Sequence, residues 1–342
     1  MALEDPALDP ADWHSRTVTS AEVARAAGVS RAAVSRAFTP GASVSAAMRA
    51  KVDAAATLLG YRPNSLARGL ITGRSGIVGW VGSTAGVPFY DRAVQALSTQ
   101  LAQRGLRLML VSTPENDSTA EAVLAILQYQ ADAVVIASAV LTSSMAEACL
   151  RQGTPVVQFG RVALPIRAHA VVADNRGGAA AVAHHFAQTG RRRVAFVGGP
   201  HETSSARERS AGFSDACARE GLELMAKVFT EYSYAAGRAA VPCALRPTVP
   251  DAVFCASDLI ALGFMDGLRT DLGLRVPQDV AIAGFDDVDA AAYAPYDLTT
   301  IRPDASGMAA CAADSLAELI RQPGIAPRVV TVPVKLIARS SA

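Results

Sequence analysis

The chain has 342 residues, of which 51% are hydrophobic and 18% are charged, and its formal net charge is +1. This length exceeds what one compact core usually holds, so two or three domains are expected. The composition suits a globular α/β protein, and the chain has no apolar run of membrane-spanning length, which excludes an integral membrane protein. Five scattered cysteines without paired spacing favour a reduced, cytoplasmic protein over a disulfide framework or a zinc site.

Charge is distributed unevenly along the chain. Residues 17–75 contain eight arginine or lysine side chains and two acidic ones, whereas the chain from residue 76 onward is slightly acidic. A basic segment attached to a nearly neutral body is typical of a protein that binds phosphate groups of nucleic acid. Residues 1–16 are acidic and contain proline, unlike the basic start of a secretory signal, so they are expected to form a disordered extension.

Residues 18–38 predict two short helices joined by a tight turn. Thr19 or Ser20 can cap the first helix, whose apolar residues recur at intervals of three and four, and Gly28 ends it. Ser30 can cap a second helix that turns Arg31, Ala32 and Arg36 outward. Such a pair predicts a helix-turn-helix, whose second helix can enter a major groove. An ordinary helical hairpin is the alternative interpretation.

The sequence that follows distinguishes between these interpretations. A third helix is predicted over residues 46–59, and residues 60–68 read Gly-Tyr-Arg-Pro-Asn-Ser-Leu-Ala-Arg. With the Val-Thr-x-x-x-Val-Ala-x-x-Ala-Gly-Val-Ser start and the Ala-Val-Ser-Arg helix, this stretch resembles the LacI/GalR (lactose-repressor) family of bacterial transcription regulators. The resemblance extends from about residue 18 to residue 340. It implies an N-terminal all-α helix-turn-helix DNA-binding domain and an α/β, periplasmic-binding-protein-like effector domain of two lobes.

From residue 76 onward, apolar strands alternate with amphipathic helices, which indicates parallel sheets covered by helices. A second series of this kind begins near residue 170, so two lobes are expected. The resemblance implies three crossovers between them, placed near residues 161–168, 298–303 and 325–328. A helix over residues 304–321 would return to the first lobe, and a strand over residues 329–337 would complete the second.

These boundaries give the expected domain organisation. The domains are a disordered extension (1–16), the helix-turn-helix domain (17–62), a hinge helix or linker (63–75), and the effector-binding and dimerisation domain (76–342). Within the last domain, the first lobe would contain residues 76–162 and 302–325, and the second lobe residues 163–300 and 327–341.

The resemblance also assigns DNA contacts to individual residues. Arginine can donate two parallel hydrogen bonds to a guanine, so Arg36 is the strongest candidate for a direct base contact. The base-contacting positions are Arg31, Ala32 and Arg36, and the phosphate-contacting positions are Thr19, Ser30, Ser35 and Asn64. Helix capping is the alternative role for each serine.

Residues 63–70 resemble the family's hinge helix, which lies in the minor groove of operator DNA. Its predicted groove contacts are Leu66, Ala67 and Leu70, and Leu70 matches a leucine that wedges between base pairs and kinks DNA. Gly69 is expected to weaken this helix by roughly 1 kcal/mol. The alternative is that the segment is a plain linker.

Small ligands of this family bind between the lobes, at the carboxyl ends of parallel strands. The predicted effector-binding residues are Phe89, Tyr90, Arg207, Ser257, Asp258 and Asp286. Each has a structural alternative: the aromatic rings can pack under a helix, Ser257 or Asp258 can cap one, and Arg207 can pair with a carboxylate. Asp287 is expected to be structural, and the isolated pair His184 and His185 is not expected to bind metal.

These features predict a cytoplasmic, homodimeric transcriptional regulator, and a repressor is favoured over an activator. It would bind a near-palindromic double-stranded operator under allosteric control by a small molecule, a sugar or related metabolite, bound between the lobes. No metal, cofactor or membrane partner is expected. The alternative is a solute-binding protein of a transport system with the same lobes, which the basic N-terminal domain disfavours. An enzyme on this scaffold is a third possibility, but no nucleophile or phosphate-binding glycine loop accompanies the paired aspartates.

Overall fold

The computed structural model describes residues 18–39, 41–62, 74–82, 88–111, 119–137, 148–149, 151–163, 168–322 and 324–342. The chain forms two compact units, Met1–Gly73 and Arg74–Ala342. The predicted extension at residues 1–16 lies outside the described residues, as do the predicted phosphate contact Asn64 and the hinge contacts Leu66, Ala67 and Leu70.

The first unit contains three helices among its described residues, and they are the three that the sequence predicts. They are α1 (Ser20–Ala27), α2 (Arg31–Ala37) and α3 (Ala46–Leu59). Their apolar faces meet in a small core centred on Val23, Val34 and Val52, each at most 1% exposed. Gly28 ends α1 in the left-handed conformation at φ 63°, which glycine adopts without steric cost and which produces the tight turn.

The described residues of the second unit form strands and helices that for the most part alternate along the chain. Its strands are β1 (Ile77–Val81), β2 (Arg107–Val111), β3 (Ala133–Ile136), β4 (Val156–Phe159), β5 (His169–Ala173), β6 (Arg193–Gly198), β7 (Glu223–Phe229), β8 (Ala252–Cys255), β9 (Ala281–Phe285), β10 (Thr299–Pro303), β11 (Val329–Val332) and β12 (Val334–Ile337). Its helices are α4 (Pro88–Gln103), α5 (Thr119–Gln128), α6 (Asn175–Gln188), α7 (Ser204–Glu220), α8 (Tyr234–Ala239), α9 (Val241–Ala244), α10 (Asp258–Leu272) and α11 (Ala305–Arg321).

The strands form two sheets, each the centre of one lobe. In the first lobe the strand order is β11-β5-β4-β3-β1-β2 and all neighbours are parallel. In the second it is β12-β10-β9-β8-β6-β7, parallel except at the β10–β12 edge. This two-lobed α/β architecture confirms the fold predicted for this part of the chain. As predicted, α11 returns to the first lobe, where Met308 and Leu316 pack in one core with Leu97 of α4.

The predicted lobe boundaries are wrong at two strands. Strand β5, expected to open the second lobe, pairs in parallel with β4, with Val157 opposite His169, and so belongs to the first. The single strand expected over residues 329–337 is two strands, β11 and β12, in different sheets. Pro333 lies between them, and because proline has no N–H to donate, the strand ladder is interrupted there.

The three crossovers therefore lie at residues 173–174, 303–304 and 333. Two of the crossovers share a local sequence signal, an aspartate three residues before a glycine. The Oδ1 atoms of Asp174 and Asp304 accept hydrogen bonds of 2.8 Å from the N–H groups of Gly177 and Gly307, so each aspartate caps the helix that follows the crossover. In the described part of the chain, no helix combines the length and apolarity needed to cross a membrane.

Candidate functional site

Helix α2 separates its residues cleanly into a buried and an exposed face. Ala33, Val34 and Ala37 are buried, and Val34 and Ala37 pack in one core with residues of the other two helices. The predicted base-contacting residues Arg31, Ala32 and Arg36 are all exposed, as is the predicted phosphate contact Ser35. The structure therefore presents these four side chains on one surface, named here the α2 surface, as a groove-reading helix requires.

Two other predicted phosphate contacts, Thr19 and Ser30, use their hydroxyl groups to cap helices of the first unit. Thr19 and Glu22 form a capping box: the Thr19 hydroxyl accepts from the Glu22 N–H at 3.4 Å, and the Glu22 carboxylate accepts from the Thr19 N–H at 2.8 Å. The Ser30 hydroxyl accepts from the Ala33 N–H at 3.1 Å and caps α2. The capping role considered for Ser30 is therefore present, and a phosphate contact by either residue stays a prediction.

We expect Arg36→Ala to weaken binding to the specific operator by about 1–3 kcal/mol and to relax the preference at one base pair per half-site. Arg36 is exposed, so the substitution removes the bidentate donor without disturbing the core. Fluorescence anisotropy on operator duplexes substituted at each position measures both effects. Arg25→Ala, an exposed arginine on α1, is the matched control and should leave base preference unchanged. Equal weakening on all duplexes by Arg36→Ala would instead identify a phosphate contact.

A cavity lies between the two lobes, where the carboxyl ends of parallel strands from both sheets meet. It encloses about 60 Å³. Its lining comes from the start of α4 and α7 and from the residues after β4, β7, β8 and β9, as expected for a ligand site in parallel α/β sheets. The lining residues are Pro88, Phe89, Tyr90, Gly160, Arg161, Ser205, Arg209, Tyr232, Ser257, Leu259, Asp286 and Val288.

Four of the six predicted effector-binding residues line this cavity. Phe89 and Tyr90 are nearly buried, with ring centroids 5.4 Å apart, and the burial raises the pKa of Tyr90. Ser257 lines the cavity and also caps α10, with its hydroxyl accepting from the Ile260 N–H at 3.3 Å. Asp286 is the fourth.

The other two predicted residues do not line the cavity. Arg207 donates to the main-chain carbonyl of Glu202, because its position on α7 is off the buried face of that helix. Asp258 is completely buried behind the cavity wall, where its carboxylate accepts from the Thr300 hydroxyl at 2.5 Å and the Val288 N–H at 2.8 Å. Burial and, to a smaller extent, the nearby Asp286 raise the pKa of Asp258 to about 7.

Arg209 occupies the place in the cavity that was expected for Arg207. Its Nε donates to the Asn175 Oδ1 at 2.8 Å, and a terminal nitrogen donates to the Ala256 carbonyl. Its guanidinium lies 3.5 Å from the centroid of the Phe285 ring and 3.6 Å from the Asp286 carboxylate. These contacts hold a planar donor in a fixed orientation at the cavity wall.

Asp286 lies at the centre of the charged groups of the cavity. Burial raises its pKa to about 6, although Arg209, Arg92 and Arg161 act in the opposite direction. Its main-chain carbonyl accepts a 2.7 Å hydrogen bond from Arg92 on α4, a contact from the first lobe to the second. The backbone of Asp286 has φ 115°, a conformation that favours glycine and that other residues retain mainly at functional sites.

Comparison with known proteins identifies the family of this chain. Residues 19–64 match the model of bacterial regulatory proteins of the lacI family, and residues 183–342 match that of the periplasmic binding protein-like domain. The HTH-type transcriptional regulator CelR of Thermobifida fusca is 33% identical over 297 residues, which cover 84% of this chain and 87% of that protein. The chain belongs to the lacI family of bacterial regulatory proteins.

Other similar proteins support the assignment of this lacI-family chain along its whole length. The ribose operon repressor of Escherichia coli strain K12 is 29% identical over 329 residues, covering 95% of this chain and 99% of that protein. Among solved structures, the lac repressor dimer bound to operator and the anti-inducer ONPF has a TM-score of 0.83 at 26% identity, covering 95% and 99% of the two chains. A CelR–cellobiose complex has a TM-score of 0.72 at 30% identity, covering 95% and 100%.

The cavity residues that sequence reasoning missed carry signals of two kinds. On α7, the buried residues Ser205, Ala206, Arg209 and Phe213 follow helical spacing, and this periodicity places Arg209 rather than Arg207 on the inner face. Arg161 and Tyr232 follow the carboxyl ends of β4 and β7, where ligand contacts of parallel sheets concentrate.

Among the described residues of this lacI-family chain, no group of three or more His, Cys, Asp or Glu could hold a metal ion.

Asp258 gives this lacI-family protein a specific pH dependence of stability. Its folded-state pKa of about 7 lies above the ordinary 3.8, so its stabilising contribution is complete below pH 4 and is lost as the pH rises through 7. One such group lowers the free energy of unfolding by up to about 1.4 kcal/mol per pH unit within that window. We expect Asp258→Asn to reduce this slope in urea denaturation, most clearly between pH 6 and pH 7, because Asp286, with a pKa of about 6, contributes mainly below that window. An unchanged slope would show that Asp258 is ionised throughout.

Proposed function

We infer that this lacI-family protein is a transcriptional repressor that binds a near-palindromic operator as a homodimer. A small hydroxylated molecule in the inter-lobe cavity changes its affinity for the operator. The observation that carries this proposal is the inter-lobe cavity itself. It brings a fixed guanidinium donor, Arg209, beside a carboxylate acceptor, Asp286, and adds the hydroxyl groups of Ser205 and Ser257. Hydroxylated ligands are recognised by such convergent donors and acceptors.

The names of similar proteins support a sugar-like ligand and an operator as the DNA site. One relative is named a ribose operon repressor, and solved structures of others hold cellobiose or an operator duplex. A homodimer places two α2 surfaces on DNA, and two-fold symmetry of the protein matches the near-palindromic symmetry of an operator. Arg31 and Arg36 would then read one half-site in each subunit.

The closed cavity supplies a mechanism for control. Its volume of about 60 Å³ is well below the roughly 300–1,000 Å³ of ordinary ligand pockets, so a sugar-sized ligand enters only when the lobes separate. The Arg92 hydrogen bond to Asp286 joins the lobes in the closed arrangement and would be exchanged during opening. A ligand that favours one lobe arrangement by 1–3 kcal/mol changes operator affinity about 5- to 150-fold.

Selection of bound sites from random duplexes by the full-length protein tests the proposed function. We expect enriched inverted repeats with two half-sites and a stoichiometry of two chains per duplex. The double variant Arg31→Ala/Arg36→Ala should enrich no repeat. Failure of the unsubstituted protein to retain and enrich any duplex sequence would reject the repressor function and favour the alternative, a solute-binding protein with the same lobes.

A further inference from the structure

The charged groups around the inter-lobe cavity are not balanced. Arg161 and Arg209 line it, and Arg92 donates to the main-chain carbonyl of the lining residue Asp286 and not to a carboxylate. Asp286 is the one carboxylate among the residues that line the cavity in the described structure. Even with Asp286 ionised, positive charge therefore exceeds negative charge among the lining residues that the structure describes.

The aspartates nearest to Asp286 do not correct this excess. Asp258 is buried away from the cavity and hydrogen-bonded to Thr300. Asp287 points the other way and forms ion pairs with Arg302 at 2.5 Å and Arg339 at 2.6 Å. Each of these carboxylates is already engaged, and neither lines the cavity.

Arg161 carries the unmatched charge. Arg209 is committed to Asp286, Asn175 and a carbonyl, but among the described residues Arg161 has no carboxylate within ion-pair distance. Its guanidinium lies 5.5 Å from the centroid of the Tyr232 ring, which orients it over an aromatic face without neutralising it. A half-buried cation in a closing cavity is costly unless an anion joins it.

We propose that the effector is an anion, a polyhydroxylated molecule whose carboxylate or phosphate group binds Arg161 while Asp286 accepts from its hydroxyl groups. Guanidinium groups bind both kinds of anion through two parallel hydrogen bonds. A neutral sugar would leave Arg161 without an anion and is therefore expected to bind more weakly. The inference rests on the proposed function, because it names the ligand class of the same cavity.

Isothermal titration calorimetry on the full-length protein tests this inference with matched pentose and hexose sets. Each set contains the neutral aldose and its aldonate, uronate and phosphate ester, for example D-glucose, D-gluconate, D-glucuronate and D-glucose 6-phosphate. We expect at least one anion to bind tenfold or more tightly than its neutral aldose. Comparison of the carboxylates with the phosphates identifies the anionic group.

Substitutions at Arg161 test its role directly. Arg161→Gln should reduce affinity for the bound anion at least tenfold, and Arg161→Lys should restore part of it. Arg193→Gln is the matched control, since Arg193 is exposed and pairs with Asp251 outside the cavity. The affinity of this variant for the anion should equal that of the unsubstituted protein. Equal loss in both glutamine variants would contradict a specific role for Arg161.

The outcomes separate the ligand class from the function. If neutral aldoses bind and shift operator affinity while the anions do not, the anion inference is wrong and ligand control stands. If no member of either set binds, both the anion inference and ligand control by this cavity are rejected. If an anion binds equally well to the Arg161→Gln variant, the assignment of Arg161 is overturned.

Discussion

Replacement of Asp287 by alanine is expected to lower the free energy of unfolding by about 3–5 kcal/mol. Asp287 is 6% exposed and forms ion pairs with Arg302 and with Arg339, which is itself 14% exposed. Arg339 also donates to the carbonyl of Leu298, so it joins the C-terminal segment to the second lobe. Loss of the carboxylate leaves a buried guanidinium without its anion, which is the costly outcome for a buried pair.

The exposed pair of Arg275 and Asp279 provides the control for this experiment. Its arginine side chain is 70% exposed, and exposed pairs contribute at most about 1 kcal/mol, so Asp279→Ala should change stability little. Urea denaturation monitored by circular dichroism measures both variants. Equal small losses would show that Asp287 does not hold the second lobe together.

The stability that the ion pairs of Asp287 contribute also depends on pH. Burial alone would raise the pKa of Asp287, but hydrogen bonds from Arg339 and Arg302 outweigh burial and hold the pKa below its ordinary value. The stability it contributes is therefore present above about pH 4 and is lost as the pH falls through the lowered pKa. This acid-side loss is opposite in sign to the loss that Asp258 produces towards neutral pH.

Asp286→Ala is expected to weaken effector binding about 10- to 150-fold and to abolish the response of operator binding to ligand. Hydrogen bonds to a charged group contribute about 1.5–3 kcal/mol each, and removal of the carboxylate leaves ligand hydroxyls unpaired in a closed cavity. We expect the variant to remain a dimer that binds operator, because Asp286 and its contacts with Arg209 and Arg92 lie within the second unit, whereas α1–α3 form a core of their own.

Arg207→Ala is the matched control for Asp286→Ala. Arg207 lies in a sequence motif that resembles a ligand-binding element, but its side chain is directed to the Glu202 carbonyl outside the cavity. Calorimetry with the bound ligand should therefore show unchanged affinity in this variant. Loss of ligand binding in Arg207→Ala with retention in Asp286→Ala would reverse the assignment of the two residues.

The three helices of the first unit could be predicted closely from the sequence because their signals are local. Capping residues, the glycine turn and apolar spacing act within a few residues, and α3 spans residues 46–59 as predicted. The assignment of strands to lobes depends instead on long-range pairing, which is why β5 was placed in the wrong sheet. Pro333, in contrast, is a local signal, and it marks the break between β11 and β12.

The cavity was predictable in position but not in its chemistry. The motifs around Ser257 and Asp286 lead correctly to the carboxyl ends of β8 and β9. Whether an adjacent residue faces the cavity depends on helix phase and on packing, so Asp258 turns inward to Thr300 while Ser257 lines the wall. The excess of guanidinium groups arises from Arg161 and Arg209, which are distant in sequence and meet only in the fold.

We infer above all that the inter-lobe cavity and the helix-turn-helix domain are thermodynamically coupled. The most direct test measures operator affinity with and without the ligand found by calorimetry, and ligand affinity with and without operator, on the same full-length protein. Coupling is reciprocal, so both affinities should change by the same factor, about 5- to 150-fold. A ligand that binds the cavity, loses affinity in Asp286→Ala, and yet leaves operator affinity unchanged would contradict the account.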